Sequence, residues 1–129
     1  MLTAICIRVK SEAQKQIVTC SIDMRFKGQK LGQAVQLLVS AVGCTEAKAG
    51  CRECRVVRDA TEGDRVRYSE QWDSEPAFHR HLKSDEFHRV LVAMELSCEE
   101  PKVVVGNLTG HRGIAHLQEM REMKNESAV

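Results

Sequence analysis

The sequence predicts an α+β domain in which one four-stranded antiparallel sheet carries helices on a single face. Three observations predict it. Strand-type alternation runs from Ile17 to Phe26, and apolar residues at helical spacing follow from Gln29. Two further strand-type runs then flank the turn chemistry of Thr61-Glu62-Gly63-Asp64. A second helical stretch and a valine-rich strand complete the order β-α-β-β-α-β. Two split βαβ units with right-handed crossovers make this βαββαβ order a ferredoxin-like arrangement.

Each element has its own reason. Val18, Cys20, Ile22, Met24 and Phe26 share one face of the first core strand, against Thr19, Ser21, Asp23 and Arg25 on the other. Ile5, Ile7 and Val9 predict an extra N-terminal strand ahead of it, separated by the polar link from Ser11 to Gln16. Leu31, Ala34, Val35, Leu38, Ala41 and Val42 form one helical stripe, expected to stop at Gly43. Strands follow at about 51–59 and 65–72. Ser74 is the expected N-cap of a short helix, with Glu75 and Pro76 in its first turn. Phe78, His81 and Leu82 share a face of that helix. Ser84 caps the next one, whose expected buried stripe is Phe87, Val90, Leu91 and Met94. Pro101 blocks its continuation, and Val103, Val104 and Val105 open the last strand. A C-terminal helix, about 113–124, carries Ile114, Leu117, Met120 and Met123 on one side.

The 129 residues suit one domain, with its core at about 17–109. Nineteen Lys and Arg against 18 Asp and Glu give no electrostatic reason to expect nucleic acid. Aromatic residues at 4% leave few platforms for stacking on bases. No apolar run approaches the roughly 20 residues that span a bilayer, and residues 1–10 make a poor signal peptide. A cytoplasmic protein without membrane or nucleic-acid partners is expected. Its six cysteines are then reduced. Cys51 and Cys54 form a CxxC in a strand, where residues three apart point to opposite faces, so neither a metal nor a redox site is expected. The pair His79 and His81 is separated by about 200° of helical arc and cannot ligate one metal.

Parity places Val66, Tyr68, Glu70 and Trp72 on the helix-facing side of the third core strand. A carboxylate between two aromatics on a buried surface needs a partner or a wet pocket. His81 is the nearest partner. The preferred expectation is that Glu70, Trp72 and His81 line one hydrated cavity between sheet and helix. The competing expectation is a dry Glu-His pair that locks helix to sheet.

These residues carry a resemblance. Gly50-Cys51, the run Arg65 to Glu75, Ala77-Phe78, His81-Leu82-Lys83-Ser84 and Phe87 resemble the antibiotic biosynthesis monooxygenase family of the dimeric αβ-barrel superfamily. In that family a Gly-Cys opens the second strand, and an E-x-W…H-x-x-S string follows the hairpin. The likeness covers about residues 17–109; residues 1–15 and the C-terminal helix lie outside the family's shortest form. The one-sided placement of the helices predicts a homodimer formed through the sheet faces that no helix covers, and the resemblance implies a small aromatic or quinone-like ligand. It also implies oxidation of an electron-rich quinol or phenol by molecular oxygen, with no cofactor and no metal. His81 and Glu70 would handle the proton and Trp72 would wall the pocket. Tyr68, Phe78 and Phe87 would contact the substrate. Haem degradation, known in one branch of the superfamily, needs an Asn, a Trp and a His; here the first core strand lacks the Asn, and the other two positions hold His81 and Leu91. The competing function is a non-catalytic small-molecule-binding or stress-related dimer.

Overall fold

Alternation in the first core strand decides which side of the sheet becomes the interior. In the computed structural model, which describes residues 16–109 and 113–127, β1 (Ile17–Arg25) buries Val18, Cys20, Ile22 and Met24. The strand before it expected at residues 5–9, together with His111, lies outside the described residues. β1 is central, in the order β2-β3-β1-β4, with β2 at Cys51–Arg58, β3 at Arg65–Trp72 and β4 at Lys102–Leu108. All three pairings are antiparallel, which gives the expected ferredoxin-like α+β architecture.

Helix α1 (Gln29–Glu46) turns Ala34, Leu38, Ala41 and Thr45 into the core. Its predicted stop at Gly43 is corrected: the helix continues to Glu46, where the buried Thr45 hydroxyl donates to the Ala41 carbonyl at 2.6 Å. Gly43 has open space around it. A glycine there costs about 1 kcal/mol of helix propensity but does not break the hydrogen-bond ladder. Both predicted serine caps form. The Ser74 side chain accepts from the Ala77 amide at the start of α2 (Glu75–Leu82), and Ser84 accepts from Phe87 at the start of α3 (Asp85–Glu95). The buried stripe of α3 is Phe87, Val90 and Ala93; Leu91 is 43% exposed, because the helix turns its alanine inward at that level. The last element, α4 (Ile114–Ser127), leaves Ile114, Leu117, Met120 and Met123 exposed.

The CxxC expectation is also corrected. A bulge between Cys51 and Glu53 takes Arg52 out of the alternation, so Cys51 pairs with Trp72 and Cys54 with Glu70. Both cysteines therefore lie on the helix-facing side. No group of three metal-binding side chains occurs among the described residues, and none of their helices is long and apolar enough to cross a membrane.

Candidate functional site

Two backbone features carry His81 to Glu70. The capped start of α2 lies two residues beyond Trp72, so the chain folds back over the end of β3 at once. Gly50, at φ +89°, opens β2, and its carbonyl accepts from the Asp73 amide at 2.7 Å. A Cβ at Gly50 would stand 2.8 Å from the Ala77 Cβ, so only glycine lets α2 settle this close. Ala77, Phe78 and His81 then form the buried face of α2.

The Glu70 carboxylate accepts from three donors. Trp72 Nε1 lies 2.9 Å from Oε1, His81 Nε2 lies 2.7 Å from Oε2, and the Tyr68 hydroxyl donates to Oε2 as well. Both side chains of the Glu70–His81 pair are 0% exposed. Lys48 Nζ stands 3.0 Å from the other ring nitrogen, Nδ1, and donates to Glu86 Oε2 at 3.2 Å. An ammonium can only donate, so Nδ1 accepts and the imidazole proton sits on Nε2, aimed at Glu70. The Cys54 thiol donates to the Tyr68 oxygen at 3.3 Å. A hydrogen-bonded file thus runs inward from Glu86 through Lys48, His81, Glu70 and Tyr68 to Cys54.

Burial governs the acids around Glu70. Desolvation, reinforced by the nearby carboxylate, holds the Tyr68 hydroxyl far above its ordinary range, so it keeps its proton. Burial likewise pushes the Cys54 thiol up to about 12 and the Cys20 thiol up to about 11. Trp72 and Phe87 enclose the imidazole, with ring centroids 4.8 Å and 5.5 Å away.

Above this cluster lies a depression of about 290 Å³, bordered by Lys48, Ala49, Trp72, Ala77, Arg80 and His81. A larger groove of about 480 Å³ runs between α1 and α3, past Leu37, Val92 and Leu96, away from the polar file. Of the residues expected at a site, Trp72 and His81 border the depression and Glu70 lies directly behind His81. Neither side chain of the pair has any exposure, because the rings of Trp72 and Phe87 and the Lys48 ammonium enclose the imidazole. Tyr68, Phe78 and Phe87 do not border the depression: Tyr68 is engaged with Glu70, Phe87 meets the edge of His81, and Phe78 is buried in the core. Sequence reasoning missed Lys48 and Glu86. They sit 33 residues before and five after His81, on a loop and a helix end, with no periodic signal. The only available hint was that a neutral buried histidine needs a second hydrogen-bond partner.

The sequence profile of the antibiotic biosynthesis monooxygenase family matches residues 17–92. No match was found among curated proteins. Solved structures share the fold. A Shewanella oneidensis protein is 24% identical with a TM-score of 0.66, covering 74% of this chain and 93% of its own. A candidate antibiotic biosynthesis monooxygenase from Deinococcus radiodurans is 20% identical with a TM-score of 0.67, covering 75% and 97%. Another, from Nitrosomonas europaea, is 12% identical with a TM-score of 0.67, covering 78% and 97%. The profile match, which spans β1 through most of α3, shows that the chain belongs to the antibiotic biosynthesis monooxygenase family.

Proposed function

We propose that the protein is a monooxygenase that oxidises a small electron-rich phenol or quinol with molecular oxygen, without metal or flavin. One observation carries this reading: the His81 imidazole stands between an open depression and a buried carboxylate. When Lys48 moves off Nδ1, that nitrogen becomes a base facing the depression. It takes the phenolic proton, and Glu70 stabilises the imidazolium through Nε2–H. Trp72 forms an apolar wall for the ring, and the electron-rich phenolate then reduces oxygen in a poorly solvated place. One oxygen atom enters the ring and the other leaves as water, while the quinol is oxidised to the hydroxyquinone. The test is oxygen uptake by the purified protein with hydroquinone and related quinols, no cofactor added. Uptake is expected, and His81→Ala should lower it about 100-fold, the scale of lost acid–base catalysis. Folded protein that consumes no oxygen with any quinol, neutral or carrying an acid group, would overturn the reading.

A second reading, a binding protein without turnover, is favoured by the complete burial of the Glu70 and His81 side chains. The same oxygen measurement separates the two. We also infer that the protein works as a homodimer, its two sheets meeting through their open faces, in the cytoplasm. The five described cysteines, all unpaired, fit a reducing compartment.

A further inference from the structure

Among the described residues, the depression beside Trp72 has two cations at its rim and no anion bordering it. Lys48 and Arg80 both border it, while the carboxylates nearest to Lys48 and His81, Glu86 and Glu70, do not. Arg80 is exposed, and its guanidinium has neither an ion pair nor a hydrogen bond among the described residues. Lys48 is half-buried and occupied twice, by His81 Nδ1 and by Glu86. Together with the Ser84 hydroxyl, 3.4 Å from the same nitrogen, it covers the Nδ1 edge of the imidazole where His81 borders the depression.

We propose that the depression binds a planar ring bearing an anionic group such as a carboxylate, and that Lys48 is a movable gate. The ligand's anion takes Arg80 and draws Lys48 away from His81 and Glu86, while its ring lies against Trp72. A planar guanidinium matches a carboxylate in a fork, and the ammonium adds a point charge beside it. The exchange leaves Lys48 with an anionic partner throughout, and the released Glu86 keeps its hydrogen bonds to its own backbone amide and to Ser84. The inference rests on the oxygenase reading and narrows its substrate class: phenols and quinols that carry an acid group, such as dihydroxybenzoates, are preferred over neutral quinols. It also gives selectivity a cause, since a neutral ring has no charge to offer Lys48 in exchange for Glu86 and reaches Nδ1 only when the gate opens unaided.

Trp72 is the only tryptophan in the chain, so the single indole N–H signal in an NMR spectrum reports on this site alone. The experiment is titration of the full chain with benzoate and with its neutral isostere benzamide. Benzoate should shift the signal saturably and bind about tenfold tighter than benzamide, the scale of one charge-assisted contact. Lys48→Met and Arg80→Met should each remove about that factor; both positions reach solvent, and an otherwise unchanged spectrum shows that the fold persists. Glu86→Gln, which releases the gate from its tether, should tighten benzoate. Equal affinity for the two ligands, wild-type affinity in both cation variants, or weaker benzoate binding in Glu86→Gln would overturn the proposal. Binding is measured without turnover. Oxygen uptake with hydroquinone alongside no preference for benzoate would sink the anion site and leave the oxygenase reading standing. Benzoate selectivity without oxygen uptake by any quinol or hydroxybenzoate would do the reverse.

Discussion

Glu70 is stable in the core because three donors surround it, and it becomes costly when one of them is removed. Truncating His81 leaves a buried carboxylate short of its charge-assisted partner, which typically costs about 3 kcal/mol or more. His81→Ala should therefore lower the urea midpoint by that equivalent; a loss below about 1 kcal/mol would show that the pair carries no structural burden. The thiols next to Glu70 give a second residue-scale prediction. Cys54 titrates at about 12 and Cys20 at about 11 in the fold, against about 8.5 in an unfolded chain. Their folded values are raised, so their contribution is intact below about pH 8.5. It is lost as pH rises toward 11–12, where the unfolded state releases protons that the fold retains. Stability should fall with pH above about 9, and Cys20→Ala with Cys54→Ser should flatten the decline. At pH 8 an alkylating reagent should modify the exposed Cys44 and Cys98 while sparing Cys20 and Cys54, as read by mass spectrometry. The file's outer half was harder to read. Glu70 and His81 follow from strand parity and helix period. Lys48 reaches His81 only through a loop whose path no local pattern dictates.

Elements in this fold obey the period of their sequence until a backbone irregularity intervenes. The strands, both serine caps and the polar and apolar faces of β1 and β3 were legible because alternation and capping are local. The departures each have a physical cause. The bulge at Arg52 inverts the facing of Cys51, and a bulge leaves little trace in side-chain pattern. Gly43 was read as a stop although a solvent-facing glycine merely weakens a helix. Gly50 is the opposite case, a glycine whose absence of side chain is required twice, by its φ and by Ala77. Gly50→Ala should destabilise by about 1–3 kcal/mol through backbone strain alone, and more because the Cβ must displace α2. It should also disturb the Trp72 indole N–H signal, since moving α2 moves His81 off Glu70. A variant as stable as wild type would show that the β2 start tolerates another backbone path.

At the scale of the whole molecule, the described residues put helices on one face of the sheet and leave the other bare. The bare face is polar at its centre, with Thr19, Ser21, Ser69 and Gln71, and holds a two-point ion pair between Arg67 and Asp23 at 2.9 and 3.0 Å. Its flanking strands carry Val57, 51% exposed, and Val104, 65% exposed. The centre of such a face can meet a second copy of itself because its strongest charges are already matched across strands. Lys102, without an ion pair of its own among the described residues, stands on the edge strand. A net charge of +1 does not oppose self-association. In a twofold contact each substitution acts twice. Covering Val104 contributes about 1.5–3 kcal/mol per copy at most, so Val104→Asp should remove both contributions and bury two new carboxylates. Sedimentation at micromolar concentration should show twice the chain mass of 14.5 kDa for the wild type. Val104→Asp should shift it toward the single chain without a change in circular dichroism. A single-chain species in the wild type would sink the dimer. A stable dimer that ignores Val104→Asp would move the contact off the open face, toward the exposed stripe of Ile114, Leu117, Met120 and Met123 on α4. Those four side chains are another apolar surface that the described residues leave uncovered, as are Val103 and Val105 on the helix-facing side of β4, and Leu117→Asp would then break the assembly instead.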